Sequence, residues 1–97
     1  MSKETFAQVC TAWELTHAYG VQLLAAKLVN DEDLLEELLY GVGGCEGGRT
    51  LADVCYDYAI DKLNLCDDEE VIDREDDVCE LQCATIDQIL DRLVASE

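Results

Sequence analysis

Residues 67–94 read DDEEVIDREDDVCELQCATIDQILDRLV, and this stretch decides the fold class. Val71, Ile72, Val78, Cys79, Gln82, Ile86, Leu90 and Leu93 keep one helical phase, as the buried stripe of an amphipathic helix does. Asp67 or Asp68 is placed to start it. Thr85 can cap a fresh helix, which would split the segment near Ala84. The chain contains no proline, and strand signals, alternating runs and Asn-Gly turns, are missing.

The same period extends outward. Thr50 caps a preceding helix, with Asp53 three residues on as in a capping box. Leu51, Val54, Cys55 and Tyr58 form its inner stripe, and it ends near Asn64. Upstream lies a glycine loop, GVGGCEGG at 41–48. Before it, Asn30 caps a helix with Asp31, Glu32 and Asp33 in its first turn, where the helix dipole favours acids. That helix carries Leu34, Leu35, Leu38 and Leu39 and stops at Gly41. The first segment is capped by Ser2, with a stripe of Phe6, Val9, Cys10, Trp13, His17, Val21, Leu24 and Leu28. Read as one helix to Val29, it is roughly 40 Å long, with Gly20 as a possible kink. Ala18–Val29 is apolar nearly all round, which places this helix at the centre. The expectation is one all-α domain over 1–97, a compact bundle of four or five helices without internal repeats.

Charge divides the chain. Its formal net charge is −17, from 23 Asp and Glu against six Lys and Arg. Residues 1–30 hold Glu4 and Glu14 against Lys3 and Lys27 and are neutral; residues 31–97 carry the whole excess. Direct binding to nucleic acid is excluded, since phosphates are held by Lys and Arg. An anionic membrane face is excluded likewise. Hydrophobic residues make up 49%, too many for a disordered acidic tail. Self-repulsion of this size destabilises the compact state, so the acid is either a halophilic trait or is presented to a partner. No targeting segment is evident, and the most apolar run falls short of the about 20 residues a bilayer span needs. The chain is read as soluble and cytosolic, with Cys10, Cys45, Cys55, Cys66, Cys79 and Cys83 reduced.

Gly43–Thr50 matches the phosphate-loop pattern with Arg49 in place of Lys. A helix precedes it instead of a strand, and Glu46 puts a carboxylate where phosphate belongs. It reads as a flexible hinge between caps, with Cys45 and Arg49 exposed. Cys79 and Cys83 form the one closely spaced thiol pair, without the second pair a zinc site needs. Cys10, Cys55 and Cys79 fall on inner stripes and read as small core hydrophobes; His17 reads as a packed core residue. The 67–77 acids lack the glycine of a calcium loop. No catalytic group, metal site or cofactor is expected, and the chain is read as non-enzymatic.

The acids remain as a surface. Asp53, Asp57 and Asp61 recur every fourth residue, about 6 Å apart along one side of a helix, with only Lys62 nearby and no benefit to folding. Glu32, Asp33, Glu36 and Glu37 form a second cluster. Asp67, Asp68, Glu69, Glu70, Asp73, Glu75, Asp76 and Asp77 form a third. A duplex presents one negative charge per about 1.7 Å of axis, and rows of carboxylates on helices imitate that field. A basic, nucleic-acid-binding cleft would attract such rows. Whether a homodimer forms through the neutral first helix is left open by the sequence.

In size, acidity and these rows the chain resembles the small DNA-mimic inhibitors that phages encode against bacterial defence, the anti-CRISPR and anti-restriction proteins. The resemblance implies an inhibitor in the host bacterial cytosol. It would occupy the basic groove where a CRISPR effector or restriction-type complex binds target DNA, through Asp53, Asp57, Asp61, Glu36, Glu37 and the 67–77 acids. In size, charge and helix count it also looks similar to colicin-type immunity proteins, which block basic nucleases. Their paired tyrosines are approached only by Tyr56 and Tyr58. A small metal or redox protein built on the cysteines is the third reading.

Overall fold

A computed structural model describes residues 5–41 and 43–96, Glu46 by its backbone alone. The elements are α1 (Phe6–Ala12), α2 (His17–Leu28), α3 (Glu32–Tyr40), a 3-10 turn (Glu46–Gly48), α4 (Leu51–Lys62), α5 (Asp68–Asp73) and α6 (Glu75–Ala95). The all-α expectation holds. The described residues form six α-helices, more than expected, because the first segment and the last are each cut at an unexpected place.

The first cut falls at Trp13–Thr16. Glu14 turns into the left-handed region at φ 61°, at a cost of about 1–2 kcal/mol for a residue with a Cβ. Several bonds offset it. Leu15 N–H donates to Cys10 O at 2.8 Å, Thr16 N–H donates to Gly44 O at 3.0 Å, and Leu15 forms an antiparallel bridge with Cys45. Thr16 then caps α2 by accepting from Tyr19 N–H. The second cut is at Arg74. α6 runs unbroken through the expected split at Ala84, because the Thr85 hydroxyl donates to Leu81 O at 2.7 Å instead of capping a new helix.

Most other helix ends follow local chemistry. Thr50 and Asp53 form the expected capping box, Asp67 caps α5, and Gly41 closes α3. Asp31, not Asn30, caps α3. Asn30 stands at φ 56° just past the end of α2, a residue type that tolerates that conformation. Thr5, with Gln8, makes the capping box of α1; Ser2 lies outside the described residues.

The cut after α1 resets the helical phase. α2 buries Tyr19, Gly20, Leu23 and Ala26. His17, Val21 and Leu28, expected inside, are exposed, while Phe6, Trp13 and Leu24 are half-buried. The central helix is α6, which packs against α1, α2, α4 and α5. It buries Val78, Thr85, Ile86, Ile89, Leu90 and Leu93. Cys79 and Ile72 face solvent, contrary to the expected stripe. Gln82 Nε2–H donates to Ala52 O at 2.8 Å, tying α6 to α4.

Tyr19 joins three helices. It is 2% exposed; its hydroxyl donates to Leu38 O of α3 at 2.5 Å and accepts from Leu51 N–H of α4 at 3.1 Å. Leu51 N–H belongs to the first turn of α4, whose amides have no partner within the helix. Gly44 leaves room for this ring, since a Cβ there would meet it at 2.1 Å.

Three thiols are core residues. Burial pushes Cys45 up from 9.0 to about 11 and Cys55 to about 12; it also raises Cys10. They are neutral at physiological pH and pack as small hydrophobes. The mobile loop with an exposed Cys45 is not what forms: Cys45 is 4% exposed.

Two outcomes follow. Tyr19→Phe leaves Leu51 N–H unpaired in the core and is expected to lower unfolding free energy by about 1–3 kcal/mol with helical content unchanged, read by urea titration under circular dichroism. Thiols whose folded pKa is raised stabilise the fold below the unfolded value and lose that contribution as pH rises through the folded one. The urea midpoint should therefore fall progressively from pH 9 toward 11–12, and Cys55→Ala should flatten that slope.

Candidate interaction surface

α4 turns Leu51, Ala52, Val54, Cys55 and Ala59 to the core and Asp53, Asp57 and Asp61 to solvent. The three carboxylates are not equivalent. Asp53 accepts from Thr50 N–H at 3.3 Å, and its own N–H donates to Thr50 Oγ1 at 3.2 Å. Asp57 forms an ion pair with Arg49, which also donates to Asp53 O. The Asp61 carboxylate makes no hydrogen bond or ion pair among the described residues, its backbone carbonyl alone accepting, from Asn64 N–H. The expectation that the row does nothing for folding is thus corrected: Asp53 holds a cap and Asp57 holds Arg49. Arg49, rather than Lys62, is the cation that reaches the row.

The second cluster, Glu32, Asp33, Glu36 and Glu37, lies exposed on α3. Tyr40 and Leu34 stand exposed on the same helix, at 56% and 42%. The third is partly used in folding. Asp67 accepts from Glu70 N–H at 2.9 Å, Glu70 accepts from Cys66 N–H at 3.1 Å, and Asp77 pairs with Arg74 at 3.1 Å. Asp68, Glu69, Asp73, Glu75 and Asp76 project into solvent.

One depression joins acids from separate elements. About 450 Å³ in volume, it lies where the α1–α2 turn meets α4, and Trp13, Glu14, Arg49, Asp57, Tyr58 and Asp61 line it. Trp13 and Tyr58 meet edge to face, ring centroids 5.1 Å apart at 73°. Trp13 Nε1–H is buried with no acceptor among the described residues. Three carboxylates therefore stand around two aromatic rings. Aromatic faces and carboxylates both attract a guanidinium or ammonium group, and the site's own Arg49 is already held by Asp57.

Sequence reasoning missed this grouping. It assigned Trp13 and Tyr58 to inner stripes, whereas they are half-buried and exposed respectively. The left-handed Glu14 turn swings Trp13 out of phase with α2 and onto the rim of α4. The only sequence signal was an acidic residue beside a tryptophan near a possible cap, Thr16.

The remaining motifs resolve differently. In the glycine loop, Cys45 N–H donates to Arg49 O and Gly48 N–H to Cys45 O, so these amides bond within the loop instead of cradling an anion. His17 is exposed, its ring edge-to-face with Phe6 at 5.3 Å. Among the described residues no three of His, Cys, Asp and Glu converge as a metal site requires, and no helix is long and apolar enough to cross a membrane. Compared with protein-family models, curated proteins and solved structures, the chain matches none.

The row can be dissected by stability. Asp53→Ala removes the N3 half of a capping box and a first-turn carboxylate, and should cost about 0.3–1 kcal/mol. Asp61→Asn removes only repulsion and should be neutral or stabilising by a few tenths of a kcal/mol. Urea midpoints of the two variants, compared at one pH and salt, test this ordering.

Proposed function

We propose that this chain is a non-enzymatic inhibitor that binds the basic, nucleic-acid-binding surface of another protein and blocks its access to DNA. The observation that supports it best is the depression in which Glu14, Asp57 and Asp61 surround Trp13 and Tyr58. The acidic rows of α3, α4 and the 67–77 segment supply long-range attraction and a fast encounter. The Trp13–Tyr58 site supplies the close contact, where Arg or Lys side chains of the partner stack and pair. The resemblance to phage DNA-mimic inhibitors names the partner class: a CRISPR effector or restriction complex in the host bacterial cytosol.

The aromatic pair also fits the immunity-type reading, in which a few anchors hold one basic nuclease. Salt separates the two. Contacts made chiefly by exposed charges weaken steeply as salt rises, whereas anchor-dominated ones persist.

The test is a panel of guide-loaded CRISPR effectors and restriction complexes, each assayed for target-DNA binding with and without the chain. Loss of DNA binding by one complex is expected, relieved by raised salt and weakened at least tenfold by Asp61→Arg. If every complex keeps full DNA binding at saturating inhibitor, the reading fails. A basic nuclease captured and held at high salt moves the function to the immunity type.

A further inference from the structure

The Trp13–Tyr58 depression already holds one cation, and it belongs to the chain itself. Arg49 Nη2–H donates to a carboxylate oxygen of Asp57 and, at 3.4 Å, to Asp53 O. The residue lines the same depression as Trp13, Tyr58, Glu14 and Asp61. It is one positive charge against three carboxylates, and those of Glu14 and Asp61 form no ion pair among the described residues. Burial does not hold this side chain: Arg49 is 37% exposed and its Asp57 partner 65%. The backbone is fixed separately. Arg49 O accepts from Cys45 N–H at 2.9 Å, and Thr50 caps α4 together with Asp53. Neither arrangement uses the guanidinium. An exposed ion pair is weak, favouring its own geometry about fivefold or less, so a competing cation can take its place.

We propose that Arg49 stands in for an arginine of the partner: its guanidinium sits on Asp57 in the free chain, and binding exchanges it for the partner's. This rests on the reading of the depression as the contact site, and adds what the site takes and what it must first release. The resident group identifies the ligand class. A guanidinium is planar, matches a carboxylate with a fork of N–H donors and stacks on aromatic rings, whereas an ammonium is a compact, strongly hydrated point charge. The site therefore selects arginine over lysine. Exchange also keeps the local charge balanced, since one cation leaves as the other arrives. Arg49 acts as a brake on binding, because apparent affinity falls with the fraction of chains whose site is open.

Trp13 is the chain's one tryptophan, so its fluorescence reports on this depression. The full chain is titrated with a short oligo-arginine peptide and with its oligo-lysine counterpart at one salt concentration. Arg49→Gln should bind oligo-arginine about two- to sixfold more tightly than wild type, with a smaller gain for oligo-lysine. Arg74→Gln is the matched control: it removes the same charge and frees Asp77, and neither residue lines the depression. It should gain clearly less. Should Arg49→Gln disturb the helical circular dichroism, Arg49→Lys replaces it and should show a smaller gain of the same sign. Equal gains in the two glutamine variants, weaker binding by Arg49→Gln, an equal gain for both peptides, or no Trp13 response in Arg49→Gln overturns the proposal. The peptides require no defence complex. Full DNA binding by every complex would defeat the functional reading and leave the exchange standing, while equal gains would defeat the exchange alone.

Discussion

The fold depends on one hydroxyl group. Tyr19 reaches from α2 into the core, donates to the carbonyl of Leu38 and accepts from the amide of Leu51. Each of these backbone groups lies near a helix end, where the ladder runs out of partners. Buried without the hydroxyl, they would each incur a desolvation penalty. The bridge fixes where α3 ends and α4 begins relative to α2. The glycine loop between α3 and α4 follows from it, because Gly44 must pass beside the Tyr19 ring. The loop in turn holds the α1–α2 turn through Thr16 and Leu15. That turn carries Trp13 and Glu14 to the edge of α4, where the candidate surface forms.

Packing and charge are kept apart in this molecule. The core is made of aliphatic side chains, neutral thiols, one satisfied tyrosine and Thr85, whose hydroxyl is bonded to its own helix, with the acids outside. Repulsion among the acids is met locally rather than by pairing throughout. Asp53, Asp31 and Asp67 sit in first turns, bonded to backbone amides, where a negative charge is favourable. Arg49 and Arg74 each hold one carboxylate. Asp61, Glu36, Glu37 and Asp73 lie outside the first turns, and their side chains make no bond among the described residues. On the proposed reading they serve the partner.

What could be read from the sequence was what is encoded within one turn of helix. Thr50 with Asp53, Asp67 as a cap, and Gly41 as a stop are all local hydrogen-bonding choices, and they stand. The phase of α6 was legible for Val78, Ile86, Leu90 and Leu93, since a long unbroken helix keeps its stripe. The Trp13–Thr16 break was not legible, because it depends on Cys45, remote in sequence, offering a bridge to Leu15. Missing that break carried the stripe of α1 into α2 with the wrong phase. It concealed Tyr19 and put Val21 and Leu28 inside. The same break made Trp13 look like core and hid the depression it lines, although Asp57 and Asp61 were singled out correctly as exposed acids.

The central claim is that the acidic surface is organised around the Trp13–Tyr58 depression rather than being uniformly attractive to any cation. Its most direct test is a nuclear magnetic resonance titration of isotope-labelled protein with a short Arg-rich peptide, following the Trp13 indole Nε1–H and the backbone amides. The account predicts that the indole and the amides of 57–61 shift first and together, and that added salt reverses the shift. Shifts spread evenly over α3, α4 and the 67–77 segment, with the Trp13 indole unmoved, would contradict it.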